Sequence, residues 1–185
     1  PTGHVASEAE ITELVAWANQ KKIPLICDEV FCEFFYGEGK FPRPMAVAKP
    51  DLCFTLNGLS KMFALPALKL GWIAATGKKS LVDPAIDRLE TTADTFLSCH
   101  IPIQKALPEI FSKGSGFAAE YVAEVGRRRK LAMEILKTSS NIRFVEPVGG
   151  FYLTAAIETG LEEEDFVVEL MKREGVFVHP GYFFD

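Results

Sequence analysis

Two charged side chains stand where an apolar run gives way to a polar turn. Lys61 closes the segment Asn57-Gly58-Leu59-Ser60-Lys61, and Asp28 follows the run Pro24-Leu25-Ile26-Cys27. A lysine amine that sheds its proton is a nucleophile, and a desolvated or electropositive pocket promotes that loss. The same amine can serve as a general base. By residue type alone, plainer readings stand beside these. A lysine in a Gly/Ser loop is usually a solvated surface residue, Asp28-Glu29 could cap a helix or sit in a solvated turn, and Lys69 could be a surface charge before a strand.

The elements that must position these groups follow from pattern. Ser7 with Glu10 is a capping box, and Ile11, Leu14, Val15 and Ala18 repeat at helical spacing, which predicts a helix over residues 8 to 21. The continuous apolar runs Pro24–Cys27, Leu52–Leu56 and Gly71–Ala75 predict three buried strands, with helices and loops alternating between them. Such strands belong to an α/β sheet covered on both faces. Ligands of such sheets gather beyond the carboxyl ends of strands, and Asp28 and Lys61 both follow strands in that sense.

Downstream, Asp83-Pro84 suits the N-cap and first position of a helix running to about Ser98. Pro102 and Pro108 are expected to interrupt or bend the next helical stretch. Two glycines and two serines in Ser112–Gly116 predict a loop, with a long helix over residues 117 to 138. The remainder reads as a small α+β unit: a strand at Phe144-Val145, a tight turn at Gly149-Gly150, a strand from Phe151 to Ile157, a helix over 164 to 174 and a strand at Val176–Val178. The expected organisation is residues 1–98 in a large domain, 99–138 as connecting helices and 139–185 in a small domain.

Composition narrows the function classes. A hydrophobic share of 48% suits a globular chain, and a net charge of −5 argues against a nucleic-acid surface, which needs clustered Lys and Arg. Arg127–Lys130 spreads around a helix and reads as a solvated face. Glu162–Asp165 reads as the acidic first turn of a helix. No apolar stretch is long enough to cross a membrane, and no basic-then-apolar leader opens the chain. His4, His100 and His179 lack metal-ligand spacing, so no metal site is read. Cys27, Cys32, Cys53 and Cys99 show no C-x-x-C pairing, which suits free thiols in a reducing, cytoplasmic setting. Phe31, Phe34, Phe35 and Tyr36 read as packing, and Phe183 and Phe184 as core or interface. The chain lacks an initiating Met and stops just after a turn signal at Pro180-Gly181, so both ends read as cut from something longer.

Five motifs in register resemble one family. Asn57–Lys61 followed by Pro66 and Lys69-Leu70-Gly71-Trp72 is similar to the lysine loop of the class I/II aminotransferases, which are fold-type-I enzymes dependent on pyridoxal 5′-phosphate (PLP). Asp28-Glu29-Val30-Phe31 resembles their aspartate motif, and Pro1-Thr2-Gly3 the end of an Asn-Pro-Thr-Gly loop. Val148–Tyr152 and Val178–Gly181 resemble two small-domain landmarks. The resemblance implies part of the fold-type-I large domain plus a small α+β C-terminal domain. It implies Lys61 as the Schiff-base lysine and proton shuttle, Asp28 as partner of the pyridine nitrogen, and Ser60 and Lys69 near the phosphate. The implied reaction moves an amino group between an amino acid and a 2-oxo acid, in a homodimer.

Three positions depart from the family pattern. Phe31 stands where a Tyr hydroxyl usually bonds the cofactor's 3′-oxygen, a loss of about 1 kcal/mol net. Lys69 stands where Arg is usual and keeps the charge without the bidentate fork. Gly58 stands where many members carry a Ser that contacts phosphate. The phosphate loop, the aromatic that stacks on the pyridine ring and the arginine for the substrate carboxylate fall outside these 185 residues. Two rival readings remain beside the aminotransferase: another chemistry on the same scaffold, such as a carbon–sulfur lyase, and a non-catalytic fragment or degenerate relative.

Overall fold

A computed structural model describes residues 1–96 and 98–184. The first helix, α1 (Glu8–Lys21), starts as its capping box requires. The Ser7 hydroxyl accepts the Glu10 N–H at 3.3 Å, and Glu10 accepts the Ser7 N–H at 2.7 Å. It buries Ile11, Val15 and Ala18, and ends where Lys22 turns left-handed at φ 56°.

Strands β1 (Leu25–Asp28), β2 (Leu52–Gly58) and β3 (Gly71–Gly77) form one sheet in that order. β1 and β2 are parallel, with Asp28 opposite Leu56; β2 and β3 are antiparallel, with Gly58 opposite Gly71. The carboxyl ends of β1 and β2 therefore share one edge. Asn57 and Gly58, expected in a loop, extend β2 because β3 pairs with them. Residues opposite in register share a face. Cys27 and Cys53 lie on one face, with Cys53 fully buried and the two sulfurs 3.6 Å apart. The other face carries Ile26 and Ile73, which are 71% and 50% exposed. Among the described residues, these two side chains of the second face stand uncovered.

Between β1 and β2 lies a single turn of helix, α2 (Pro44–Val47); between β2 and β3 lie α3 (Leu59–Met62) and a 3-10 turn at Pro66–Leu68. The main core forms here, where buried Leu59, Phe63 and Leu70 pack with Trp72, Leu107 and Ile110. Each such side chain contributes about 2 kcal/mol by leaving water.

Two long helices follow. α4 (Lys79–Phe96) begins four residues before the expected N-cap at Asp83, so Pro84 lies inside it. A proline so near the start forfeits one backbone bond, and the Lys79–Asp83 ion pair at 2.6 Å braces the same turn. The expected end near Ser98 adjoins Leu97, which lies outside the described residues.

α5 (Ile101–Leu136) is one helix of 36 residues, where a loop at 112–116 and connecting helices in the plural were expected. Ser112 and Ser115 donate their hydroxyls back to carbonyls of the same helix. Gly114 faces the Phe63 ring so closely that a Cβ would stand 2.9 Å from it. Its glycine thus serves close packing rather than a turn.

The remainder holds a two-stranded antiparallel ladder, β4 (Ile142–Phe144) with β5 (Ala155–Ile157), and the helix α6 (Glu163–Glu174). Three acids fill the first turn of α6 and Lys172 and Arg173 the last, as the helix dipole favours. Only the last three residues of the expected Phe151–Ile157 strand pair, and Val176–Val178 is not a strand in the described structure. Phe183 and Phe184, expected in core or interface of the longer protein, lie in a 3-10 turn and are 59% and 49% exposed among the described residues.

Candidate active site

The lysine segment is built by its backbone. Leu59 N–H bonds to the Leu70 carbonyl at 3.1 Å, and Leu59 itself is fully buried. This pins the start of α3 and leaves Lys61, half-buried, two residues along. Ala64 and Lys69 both adopt left-handed backbone, φ 53° and 51°. Each costs about 1 kcal/mol, and together they turn the chain from α3 back into β3.

The aspartate segment turns just as tightly. Asp28 Oδ1 accepts the Val30 N–H at 3.1 Å, an Asx turn at the end of β1. The backbone bonds Cys32 N–H to Glu29 and Phe34 N–H to Phe31 continue the turn. Phe31 comes to rest beside the lysine: the Lys61 Nζ is 5.8 Å from the centre of its ring.

A third segment closes the wall. Gly150 N–H bonds to the Phe34 carbonyl and Tyr36 N–H to that of Val148, while Gly3 accepts from Val148 and Gly149, each within 2.9 Å. Three of the five motifs, the Pro1–Gly3 opening, the aspartate turn and Gly149-Gly150, meet in this knot. It delivers Phe151 against Phe31 at 4.9 Å and Phe34 at 5.3 Å, with Tyr152 at 5.6 Å from Phe31. Phe151 is also 5.6 Å from the Lys61 Nζ. The lysine amine thus faces two aromatic rings, and its side chain makes no hydrogen bond or ion pair among the described residues.

The residues singled out from sequence are not all brought together. Lys61 and Phe31 meet. Asp28 stands exposed at the same sheet edge, on the face shared with Ile26. Ser60 is half-buried in the first turn of α3. Lys69 is exposed, and no described side-chain bond joins it to Ser60 or Lys61. In the last motif, Pro180 is buried and Gly181 N–H donates to Glu163 of α6.

Several residues were not legible as site neighbours. Glu29 is 5% exposed and ion-paired to Arg43 at 2.8 Å. Arg129, expected on a solvated face, instead covers the Tyr36 ring at 4.8 Å and donates to the Pro147 carbonyl at 2.7 Å. Arg127 and Arg128 do lie on the solvated face, both paired with Glu124.

Comparison with known proteins bears on this arrangement. The model of the family described as aminotransferase class I and II matches residues 1–185. The chain belongs to that family. An alanine aminotransferase of Mycobacterium tuberculosis is 27% identical over 98% of the chain and 44% of the relative. The glutamate-pyruvate aminotransferase AlaA of Escherichia coli is 26% identical over 100% of the chain and 47% of the relative. The chain therefore spans a little under half the length of these curated relatives. Among solved structures, an alanine aminotransferase from Pyrococcus furiosus superimposes with a TM-score of 0.84 at 28% identity, covering 100% of this chain and 48% of its own. An aromatic aminotransferase from Pyrococcus horikoshii gives 0.85 at 27% identity, covering 98% and 48%. The mixed helix and strand architecture is that of the fold-type-I aminotransferases, of which this chain makes up about half.

Proposed function

We propose that the whole protein is a PLP-dependent aminotransferase that moves an amino group between an amino acid and a 2-oxo acid, and that this chain carries its lysine and aspartate. The observation that carries the reading is the Lys61 amine, facing Phe31 and Phe151 at the carboxyl end of β2, on the edge where β1 delivers Asp28. Membership of the aminotransferase family supports it.

The side chains suit the cofactor. An aldehyde needs an amine with no carboxylate partner, and Lys61 is one among the described residues. A protonated ring nitrogen needs a carboxylate, and Asp28 is exposed with one local backbone bond. Phosphate oxygens need hydroxyls and cations, which Ser60 and Lys69 offer. When bound, the cofactor draws electrons from the substrate α-carbon through its ring. Lys61 would hold it and, when freed by substrate, would move a proton at that carbon. Asp28 would face the ring nitrogen, where its carboxylate would stabilise a positive charge. Phe31 and Phe151 would line the lysine side with apolar surface.

The test is the absorbance spectrum of the protein mixed with PLP beside a Lys61→Ala control, then borohydride trapping and peptide mass spectrometry. Adduct on Lys61 that vanishes in the control supports the reading. Adduct scattered over surface lysines in both proteins sinks it. In the full-length protein, amino transfer that depends on an added 2-oxo acid separates this activity from that of a lyase.

Membership of the family supports a homodimer as the working assembly, and light scattering of the full-length protein that returns a clean monomer would count against it. Free thiols at Cys27 and Cys53, close but unbonded, support a cytoplasmic setting, checked by cell fractionation. No helix among the described residues is long and apolar enough to cross a membrane.

A further inference from the structure

We infer that Cys32 is a positioning residue that ties the aspartate turn to the lysine segment through Asn57 and Arg43. The inference rests on the reading of Lys61 as the cofactor-bearing lysine and adds how that lysine is held.

Cys32 follows Phe31 in the chain and is 5% exposed. Its sulfur accepts an N–H of Arg43 at 3.3 Å and one of the Asn57 side-chain amide at 3.5 Å. The orientation of that amide is dictated from the other side. Asn57 Oδ1 takes the Gly58 N–H at 2.7 Å, so its NH2 group must face the thiol. Arg43 is fixed in turn by its Nε, which donates to buried Glu29 at 2.8 Å. The chain of bonds therefore runs Glu29, Arg43, Cys32, Asn57, Gly58, and ends three residues before Lys61.

Beside the backbone bond from Glu29 N–H to the Leu56 carbonyl at 2.9 Å, two side-chain contacts join the segments: Phe31 beside Lys61, and Cys32 beside Asn57. The first is a non-directional contact, whereas the second is a set of directed bonds. A thiol suits the junction because it both donates and accepts. Burial pushes the Cys32 thiol up, against the Arg43 contact that pulls it down, which keeps its proton in place at neutral pH. That proton points to Glu33 Oε1 at 3.6 Å. Valine at position 32 would fill a similar volume and leave two N–H donors without an acceptor, whereas serine would keep one. With the junction undone, the turn keeps its Glu29–Leu56 backbone bond and the packing of Phe31 on Phe151, and Phe31 covers the Lys61 amine less tightly.

The test is competitive acylation of the folded protein by limiting acetic anhydride. Peptide mass spectrometry reads the ratio of modified Lys61 to modified Lys79, whose side chain is 87% exposed. Cys32→Val and Asn57→Ala are each expected to raise the ratio about threefold or more, the scale of one lost hydrogen bond. The double variant should go no further than the larger single effect, because both break one chain of bonds. Cys32→Ser should stay within about twofold of wild type. Lower melting temperatures with unchanged ratios, or effects that multiply in the double variant, would overturn the inference and leave Cys32 as packing. Should Cys32→Val fail to fold, Asn57→Ala and Arg43→Gln carry the same readout, since Arg43 is half exposed. A wild type that never binds PLP at Lys61 removes the proposed function, while the ratios still decide whether this network holds the lysine.

Discussion

Lys61 reaches over the Phe31 ring, its Nζ 5.8 Å from the centre, and that ring has no hydroxyl to offer a ligand beside the amine. The site is therefore apolar where the family usually places a donor. Phe31→Tyr is expected to tighten PLP binding about fivefold, the scale of one added hydrogen bond. Absorbance titration with PLP measures it, and an unchanged Kd would mean that no cofactor oxygen lies at that spot.

Gly58 leaves little room for a side chain. A Cβ there would stand 2.8 Å from the Leu70 carbonyl oxygen and 3.0 Å from Gly71 Cα, both backbone atoms held by the β2–β3 ladder. Gly58→Ser should destabilise the fold by about 1 to 3 kcal/mol, read as a drop in urea midpoint. Unaltered stability would show that the ladder gives way at little cost.

Two glycines two residues apart, on opposite sides of α5, should respond with opposite signs. Gly114→Ala places a methyl group 2.9 Å from the buried Phe63 ring and should destabilise. Gly116 has nothing within 4 Å of its would-be Cβ, so Gly116→Ala should stabilise by roughly 0.8 kcal/mol through helix propensity. Paired thermal melts check both, and a loop at this place would leave the two alike.

Acid should loosen α5 through Glu124. Bonds from Arg127 and then Arg128 hold its carboxyl down to about 2, against an ordinary value of 4.5. A carboxyl depressed in the folded state gives stability that is full above its unfolded value and lost as pH falls toward the folded one. The loss attributable to Glu124 thus falls between about pH 4.5 and 2. Melting curves across that window should fall more steeply for wild type than for Glu124→Gln, and added salt should narrow the difference because the pairs are exposed. Equal slopes would show the pairs to be idle.

How much of this was legible depended on the range of the interaction. The capping box of α1 was plain because both of its bonds lie within three residues. The three strands were plain as apolar runs, and Lys61 and Asp28 as members of motifs. The encounter of Lys61 with Phe151 was not, since 90 residues separate them and only the knot of Gly3, Phe34 and Gly149-Gly150 brings them together. Arg43 gave no sign of its bond to Glu29, because spacing along a turn does not encode a partner 14 positions away. The glycines and serines of α5 misled for a different reason. Composition favours a turn there, but a close neighbour, Phe63, decides for helix.

That helix has a consequence for how the protein can change over time. At about 1.5 Å per residue it runs about 54 Å. In its first third it holds Phe63 and Trp72 through Phe111; farther along it holds Phe34 through Tyr121 and the Pro147 carbonyl through Arg129. One residue inserted between Phe111 and Tyr121 would advance the later contacts by about 1.5 Å and rotate them by about 100°. Tyr121 would lose its bearing on Phe34, a member of the knot that sets Phe151 beside Lys61, through an error of phase, even with every side chain at the site unchanged. α5 is in this sense a gauge of fixed spacing, and substitutions within it can accumulate where insertions cannot.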